Sequence, residues 1–414
     1  MPEAVEERDA TTLTPSISSG ADQAGVRLYN ERLILSLVRR FGQLSKIEVA
    51  RMTGLSVQST SAIMNRLQVD GLLRREAPLR GRVGQPTVPV SLDPDGAYSL
   101  GLKIGRRSCD LVLIDFSGRA LQRRHRTYAY PTPSLVMDFL ADELGPVTQT
   151  LTPAQRRRIA GLGVASPFQL WNWSAEIGAP PEAMDAWRSF SIEEELARAC
   201  AYRVTLCNDA TSACAAEFFF GDAWRHRDFL YFFLGAFVGG GLVLDGALYP
   251  GRTGNAAALG SMPIAPREPG QASSQLIACA SICQLERRIE AAGGDPSSIW
   301  RTPGAWDDFG PLLDVWIEEA SFALAYAAIA AMSVLDIAAI VIDGAMPVAV
   351  RRKLCARVAA QIETLDRRGL SDVAVIAGAI GPDARAIGGA ALPLIKNFAR
   401  DREVLFKDAP IGAV

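Results

Sequence analysis

Gln58, Ser59, Ser61 and Asn65 are small or amide side chains on the polar side of one short segment. Val57, Thr60, Ile63, Met64 and Leu67 recur in the same segment at helical spacing and are expected to face inward. Polar groups of this size and spacing suit hydrogen bonds to base edges and phosphates in a DNA major groove. Arg66, Arg80 and Arg82 are the expected phosphate contacts. Thr60, Ser45, Lys46 and Gln85 complete the expected DNA-contacting set. The charge balance agrees. Residues 27–90 hold eleven Arg and Lys against four acidic residues, a net +7 in a chain whose formal net charge is −2. One basic module on a mildly acidic body suits phosphate binding, which supplies most nucleic-acid affinity.

These residues need a scaffold, and the stretch Leu44–Leu73 supplies one. Ser45 can cap a first short helix, with Glu48 closing a capping box. Ala50 is small where two helices cross. Gly54 stands where the chain must turn, and glycine takes a positive φ without steric cost. Ser56 can cap the second helix. Asn30–Phe41 is expected to form the helix before this pair, with Leu33, Ile34, Leu37, Val38 and Phe41 on one face. Arg80-Gly81-Arg82-Val83-Gly84-Gln85-Pro86 reads as the cationic tip of a β-wing, the alternative being a solvated charged loop. Helix pairs also occur in cores that never meet DNA; here the basic flanks favour the nucleic-acid reading.

A chain of 414 residues, 49% hydrophobic and 21% charged, implies two or three well-buried domains. The expected division is a disordered tail over 1–26, a winged helix-turn-helix over 27–92 and a large domain over 96–414. Asp93-Pro94-Asp95-Gly96 marks the boundary. Seven cysteines without a regular framework indicate reduced thiols and a cytoplasmic setting. Met1–Ala24 has no apolar run of the kind a signal peptide needs. Phe322–Val334 is apolar but too short to span a bilayer, and reads as a buried helix. Beyond the boundary, strands alternate with helices, which implies an α/β domain with a mainly parallel sheet covered on both faces.

Several motifs then occur in order: Gly161-Leu162-Gly163-Val164-Ala165-Ser166-Pro167, Asn208-Asp209-Ala210, Leu234-Gly235 with Gly239-Gly240-Gly241, and Gly246-Ala247-Leu248-Tyr249. Looser matches are Gly251 through Met262 and Gly388-Gly389-Ala390-Ala391. With these motifs, residues 28–400 resemble the ROK family of sugar kinases and transcriptional repressors. The fused winged helix resembles its repressor branch. The resemblance implies a two-lobed, actin-like ATPase fold around a cleft, and Asn208, Asp209 and Ser166 as ligand-binding residues. The family's aspartate at position 209 is a catalytic base; the alternative here is an Asn-Asp pair that caps the following helix.

Phosphoryl transfer needs backbone amides close to phosphates, a metal and a base. The family's first phosphate loop reads Lys103-Ile104-Gly105-Arg106-Arg107-Ser108 here, and its second reads Gly235-Ala236-Phe237. A late Gly-Gly has become Asp343-Gly344. The sugar-contacting glutamate and the zinc-binding histidine of relatives correspond to Ala258 and Ser261. Cys279 and Cys283 alone remain of a cysteine-rich zinc run, and four ligands are needed. The expectation is therefore a regulator, not an enzyme, with no cofactor and no metal. Its partners would be operator duplex DNA, a small effector of the sugar type and a second copy of the chain. Arg106-Arg107 is expected to be a solvated turn. Two rival readings stand: an active sugar kinase carrying a DNA-binding domain, and a regulator controlled by a protein partner.

Overall fold

The computed structural model describes residues 23–78, 88–174, 178–266, 272–301 and 306–400. The first helix, α1 (Gln23–Phe41), starts seven residues before the expected Asn30. Residues 23–26 are thus its first turn rather than part of a tail, because nothing from Gln23 to Asn30 stops a helix that Ile34, Leu35 and Val38 anchor by burial. Helices α2 (Lys46–Thr53) and α3 (Val57–Val69) follow, joined through Gly54 at φ 71°. Strands β1 (Leu73–Arg75) and β2 (Val90–Leu92) form an antiparallel wing pair, with Leu73 opposite Leu92. Leu44 bridges to Val90 and ties the wing to the start of the helix pair.

The body holds two five-stranded sheets of the same order. In the first, β3 (Tyr98–Ile104), β4 (Ser108–Asp115), β5 (Ala120–Thr127), β6 (Ile159–Ser166) and β7 (Val204–Asn208) run β5-β4-β3-β6-β7. In the second, β8 (Phe229–Leu234), β9 (Val238–Leu244), β10 (Ala247–Leu248), β13 (Ala339–Gly344) and β14 (Ala374–Ala377) run β10-β9-β8-β13-β14. The short pair β11 (Pro263–Ile264) and β12 (Ser274–Gln275) stands apart. Each large sheet is mixed, which corrects the expectation of mainly parallel sheets. The reason lies in the connections. The first three strands of each sheet are joined by tight turns, which can only link antiparallel neighbours; the last two are reached through helical crossovers.

Helix α4 (Pro133–Gln149) and the short helices α5 (Pro181–Ser189) and α6 (Ile192–Ala199) accompany the first sheet. Helices α8 (Ile282–Ala291), α9 (Gly310–Met332) and α10 (Val348–Thr364) accompany the second, around Trp306 and Trp316. Among the described residues, one helical stretch, Asp307–Met332, is long and apolar enough to cross a membrane; 61% of its apolar window is buried in the body. Helix α7 (Asp209–Phe220) and the last helix, α11 (Ala384–Phe398), pack together between the sheets. They approach so closely at Gly388 that a Cβ there would stand 1.7 Å from the Ser212 carbonyl oxygen.

The winged module is not packed as a separate bead. One apolar cluster runs from Ile34, Val38, Met64 and Leu67 through Val112 and Phe116 to Ala390 and Leu394 of α11. The turn at Pro94–Gly96, capped by Asp93, therefore joins two parts that share a core.

Candidate functional site

In the winged module the local chemistry follows the sequence closely. Ser45 accepts from the Glu48 amide, and Glu48 Oε2 accepts from the Ser45 amide at 2.8 Å. Ser56 accepts from the Ser59 amide at 3.1 Å and so caps α3. Gln58, Ser59, Asn65 and Arg66 are exposed, and Ser61 is half-buried. Lys46 donates to Ser61 Oγ at 3.0 Å and to Asn65 Oδ1 at 2.8 Å, which links three expected contacts in one group. Arg66 lies 3.9 Å from Glu31.

Two expected contacts do not face a groove. Thr60 is fully buried, because it continues the inward row with Met64 and Leu67. Ser45 is buried, with its hydroxyl held in the capping box. Val57, expected inward, is instead 57% exposed at the first position of α3. It adds an apolar side chain of the kind that meets thymine methyl groups. Arg80, Arg82 and Gln85 lie outside the described residues.

The second site is a cleft of about 310 Å³ between the two lobes. Strand β7 delivers Asn208 and Asp209 to its floor. Asn208 Oδ1 accepts from the amides of Ala210 (3.0 Å) and Thr211 (3.3 Å), so it is the cap of α7. Asp209 is the first residue of that helix and lines the cleft, with Oδ2 3.1 Å from the Arg385 guanidinium of α11. Both line the cleft: Asn208 caps the helix through Oδ1, and Asp209 presents a carboxylate. Ser166 is buried, its hydroxyl 3.4 Å from the Pro167 carbonyl; the cleft wall begins at Pro167 instead.

Gln169, Asn172 and Asn255 add amide groups to the wall. Asn172 donates to Gln169 Oε1 at 2.7 Å. Gln169 and Ala257 hold left-handed backbone at φ 50° and 54°, and both line the cleft. Strain of this kind in a non-glycine residue persists where the surroundings over-determine it, as at ligand sites. No motif marks these residues or Arg385. They come from separate loops and helices, and folding alone assembles them. Ala258 and Ser261 also line the cleft.

The phosphate-loop positions are filled by the protein's own groups. Arg106, expected in a solvated turn, is half-buried and lies 4.1 Å from the ring centroid of Phe237 in the opposite lobe. The stack joins the β3–β4 turn to the β8–β9 turn across the space between them. Lys103 pairs with Asp110 at 2.9 Å and donates to Ser108. Burial first, then the charge of Arg385, pushes the Lys103 ammonium below its ordinary range. Burial alone would raise the Asp110 carboxyl, but Lys103 outweighs it and holds the group at about 2. At the late turn, Asp343 is fully buried against Arg351 at 2.8 Å and accepts from Tyr231 and the Gly381 amide.

The sulfur and imidazole groups do not converge. Cys279 contacts Ser274, and burial pushes the Cys283 thiol up, away from the thiolate a metal needs. His125 is bonded to Asp110, and His226 lines a different pocket. This donor set does not fit a tetrahedral structural zinc. Among the described residues no group of three His, Cys, Asp or Glu side chains could hold a metal.

Residues 99–396 match the sequence profile of the ROK family. The chain belongs to the ROK family. Residues 29–82 match the MarR family, in agreement with the winged module. An uncharacterized protein of Sinorhizobium fredii, y4fQ, is 26% identical over 89% of this chain and 91% of its own length. The xylose repressor of Bacillus spizizenii is 24% identical over 59% of this chain, a match that spans 62% of the repressor. A crystal structure of a ROK family transcriptional regulator, a homologue of the Escherichia coli MLC protein, superposes with a TM-score of 0.63. It covers 90% of this chain and 98% of its own at 18% identity, and so shows that the two share a fold. In this ROK chain the cleft is lined by Asn208 and Asp209, with Arg106 and Phe237 beside them.

Proposed function

We propose that this ROK protein is a cytoplasmic transcriptional repressor that binds operator DNA as a homodimer and is released by a small effector. The observation that carries the reading is a double one: an intact, capped recognition helix is fused to a ROK cleft whose phosphate loops are bridged by Arg106 and Phe237. The xylose repressor relative supports the same reading by its name. The effector is a sugar or sugar derivative. Amide side chains, one carboxylate and the rings of Phe168 and Phe237 suit a ligand with several hydroxyls and apolar faces. The absence of the family's glutamate at Ala258 and histidine at Ser261 points away from the free hexoses that kinase relatives take.

The route from cleft to DNA is short. Helix α7 begins at the cleft with Asp209 and ends at Phe219 and Phe220, roughly 18 Å away at 1.5 Å per residue. There the guanidinium of Arg39 from α1 lies 4.1 Å from the Phe219 ring centroid and 4.7 Å from that of Phe116, and donates to the Phe116 carbonyl at 2.7 Å. An effector that shifts α7 shifts the seat of the DNA-binding module, and so changes the balance of binding-competent states.

The protein is not a kinase in this reading. Purified protein incubated with Mg-ATP and a panel of sugars is expected to release no ADP above a blank. Sugar phosphorylation that disappears in Asp209→Ala would establish the rival reading, an active kinase, which Asp209 at the cleft floor favours. Genome-wide binding-site mapping tests the DNA half, and loss of residues 1–92 is expected to abolish the mapped sites.

A further inference from the structure

A second pocket, of about 280 Å³, lies where the end of α1 meets the body, and its chemistry is unlike that of the cleft. Arg40 of α1 faces Arg225, His226, Arg227 and Arg400 of the body across it, beside Trp224. Two carboxylates stand near these cations: Asp245 is 2.5 Å from Arg227, and Asp222 is 3.8 Å from Arg225. Neither lines the pocket. Among the described residues, Arg400 donates to the Asp245 carbonyl, at 3.5 Å. The Arg40 guanidinium is 5.7 Å from the Trp224 ring centroid. Burial, and then the like charge of Arg400, disfavour its charged form. Among the described residues, two of the four arginines thus point positive charge into a shared space without a carboxylate of their own on the pocket walls.

We propose that this pocket binds a phosphate-type dianion, either inorganic phosphate or the phosphate group of a small monoester. Guanidinium groups match phosphate oxygens in pairs, and such bonds are stronger than neutral ones. The volume exceeds what a phosphate alone needs, so a monoester has room for its organic part. The anion bridges Arg40 of the DNA-binding module to Arg227 and Arg400 of the body, and holds the two parts in one relative position. The site stands on its own geometry; only its effect on operator binding rests on the regulator reading.

The test is calorimetric titration of the full chain, without DNA, with inorganic phosphate and separately with glucose 6-phosphate, at constant pH and ionic strength against a chloride control. Saturable binding is expected, weakened tenfold or more in Arg400→Ala and in Arg40→Ala. Arg227→Gln serves if either alanine variant fails to fold. Tighter binding of glucose 6-phosphate than of phosphate identifies the monoester as the ligand, and equal binding identifies the free anion. Heat no different from chloride, or equal affinity in the folded variants, overturns the proposal. Asp401 and Glu403 follow Arg400 in the sequence, so a double variant at these two positions is the control. If phosphate binds only to the Asp401→Asn, Glu403→Gln double variant, the pocket belongs to the chain's own carboxylates and the proposal fails. It also fails if phosphate does not bind while Arg40→Ala lowers DNA affinity and its salt dependence, because the pocket is then a DNA-backbone contact.

Discussion

Asn208 Oδ1 accepts from two amides of α7, and Asp209 meets Arg385, so substitutions at adjacent positions should have different consequences. Asn208→Ala removes a helix cap, which costs about 1 kcal/mol; it should lower the melting temperature and leave the effector concentration for half-maximal DNA release nearly unchanged. Asp209→Ala removes a carboxylate that can accept from ligand hydroxyls, and the effector should weaken about tenfold or more. An unaltered effector response in a folded Asp209→Ala protein would remove Asp209 from the ligand site. Asp110 provides a pH prediction. Its folded-state value of about 2 lies below that of an unfolded carboxylate, near ~3.9. A depressed carboxylate contributes its stability above the unfolded value and loses it as pH falls toward the folded one. Melting temperatures of wild type and Asp110→Asn should therefore differ most above about pH 4 and converge toward pH 2. A constant difference across that range would show that Lys103 and His125 do not set the carboxylate's ionisation.

Helix α7 joins three regions: its first turn lines the cleft, its last turn stacks on Arg39, and Glu217 between them holds the turn after β14. The Glu217 carboxylate accepts from the amides of Asp222 (3.0 Å), Ala223 (3.2 Å) and Ala379 (2.7 Å). Burial pushes its carboxyl above the ordinary range in spite of those bonds. Helix α1 reaches α7 through Arg39, whose guanidinium is buried and pushed below its usual range by desolvation. Arg39→Lys keeps the charge but loses the planar stack on Phe116 and Phe219. Operator affinity without effector should stay within about threefold, while effector-induced release should be blunted. Normal release in Arg39→Lys would show that the signal does not pass along this helix. On α3, Gln58, Ser59 and Asn65 should alter which operator bases are preferred. Arg66→Ala should weaken binding to all sequences and flatten its salt dependence. A change of base preference in Arg66→Ala, with uniform weakening in the other three, would reverse the orientation assigned to the helix.

At the scale of the whole molecule, one apolar cluster crosses from the winged module into the body, through Phe116 and Leu394. Module and body should then unfold together rather than in two steps. A single calorimetric transition is the expected result, and a separate early transition removed by deleting residues 1–92 would contradict it. A true effector binds the folded protein alone, so it should raise that one transition by mass action. The shared core also explains how a ligand in the body is felt by the DNA-binding module: the two cannot move independently without exposing Val112, Phe116 and Met64 to water.

The local elements of the DNA-binding module could be read directly from the chain. Ser45, Glu48, Gly54 and Ser56 act through neighbours three or four residues away, and sequence spacing contains that geometry. The same holds for the order of strands and helices, and for the loss of glycine and threonine from the phosphate loops. Which side of α3 a residue faces was less secure: Val57 and Thr60 share a row, yet one is exposed and the other buried, because burial depends on where α3 meets its neighbours. The Arg385–Asp209 pair, the Arg106–Phe237 stack and the Arg39 seat were decided by tertiary structure alone. Each joins residues from 77 to 180 positions apart, across elements whose mutual placement no local rule prescribes.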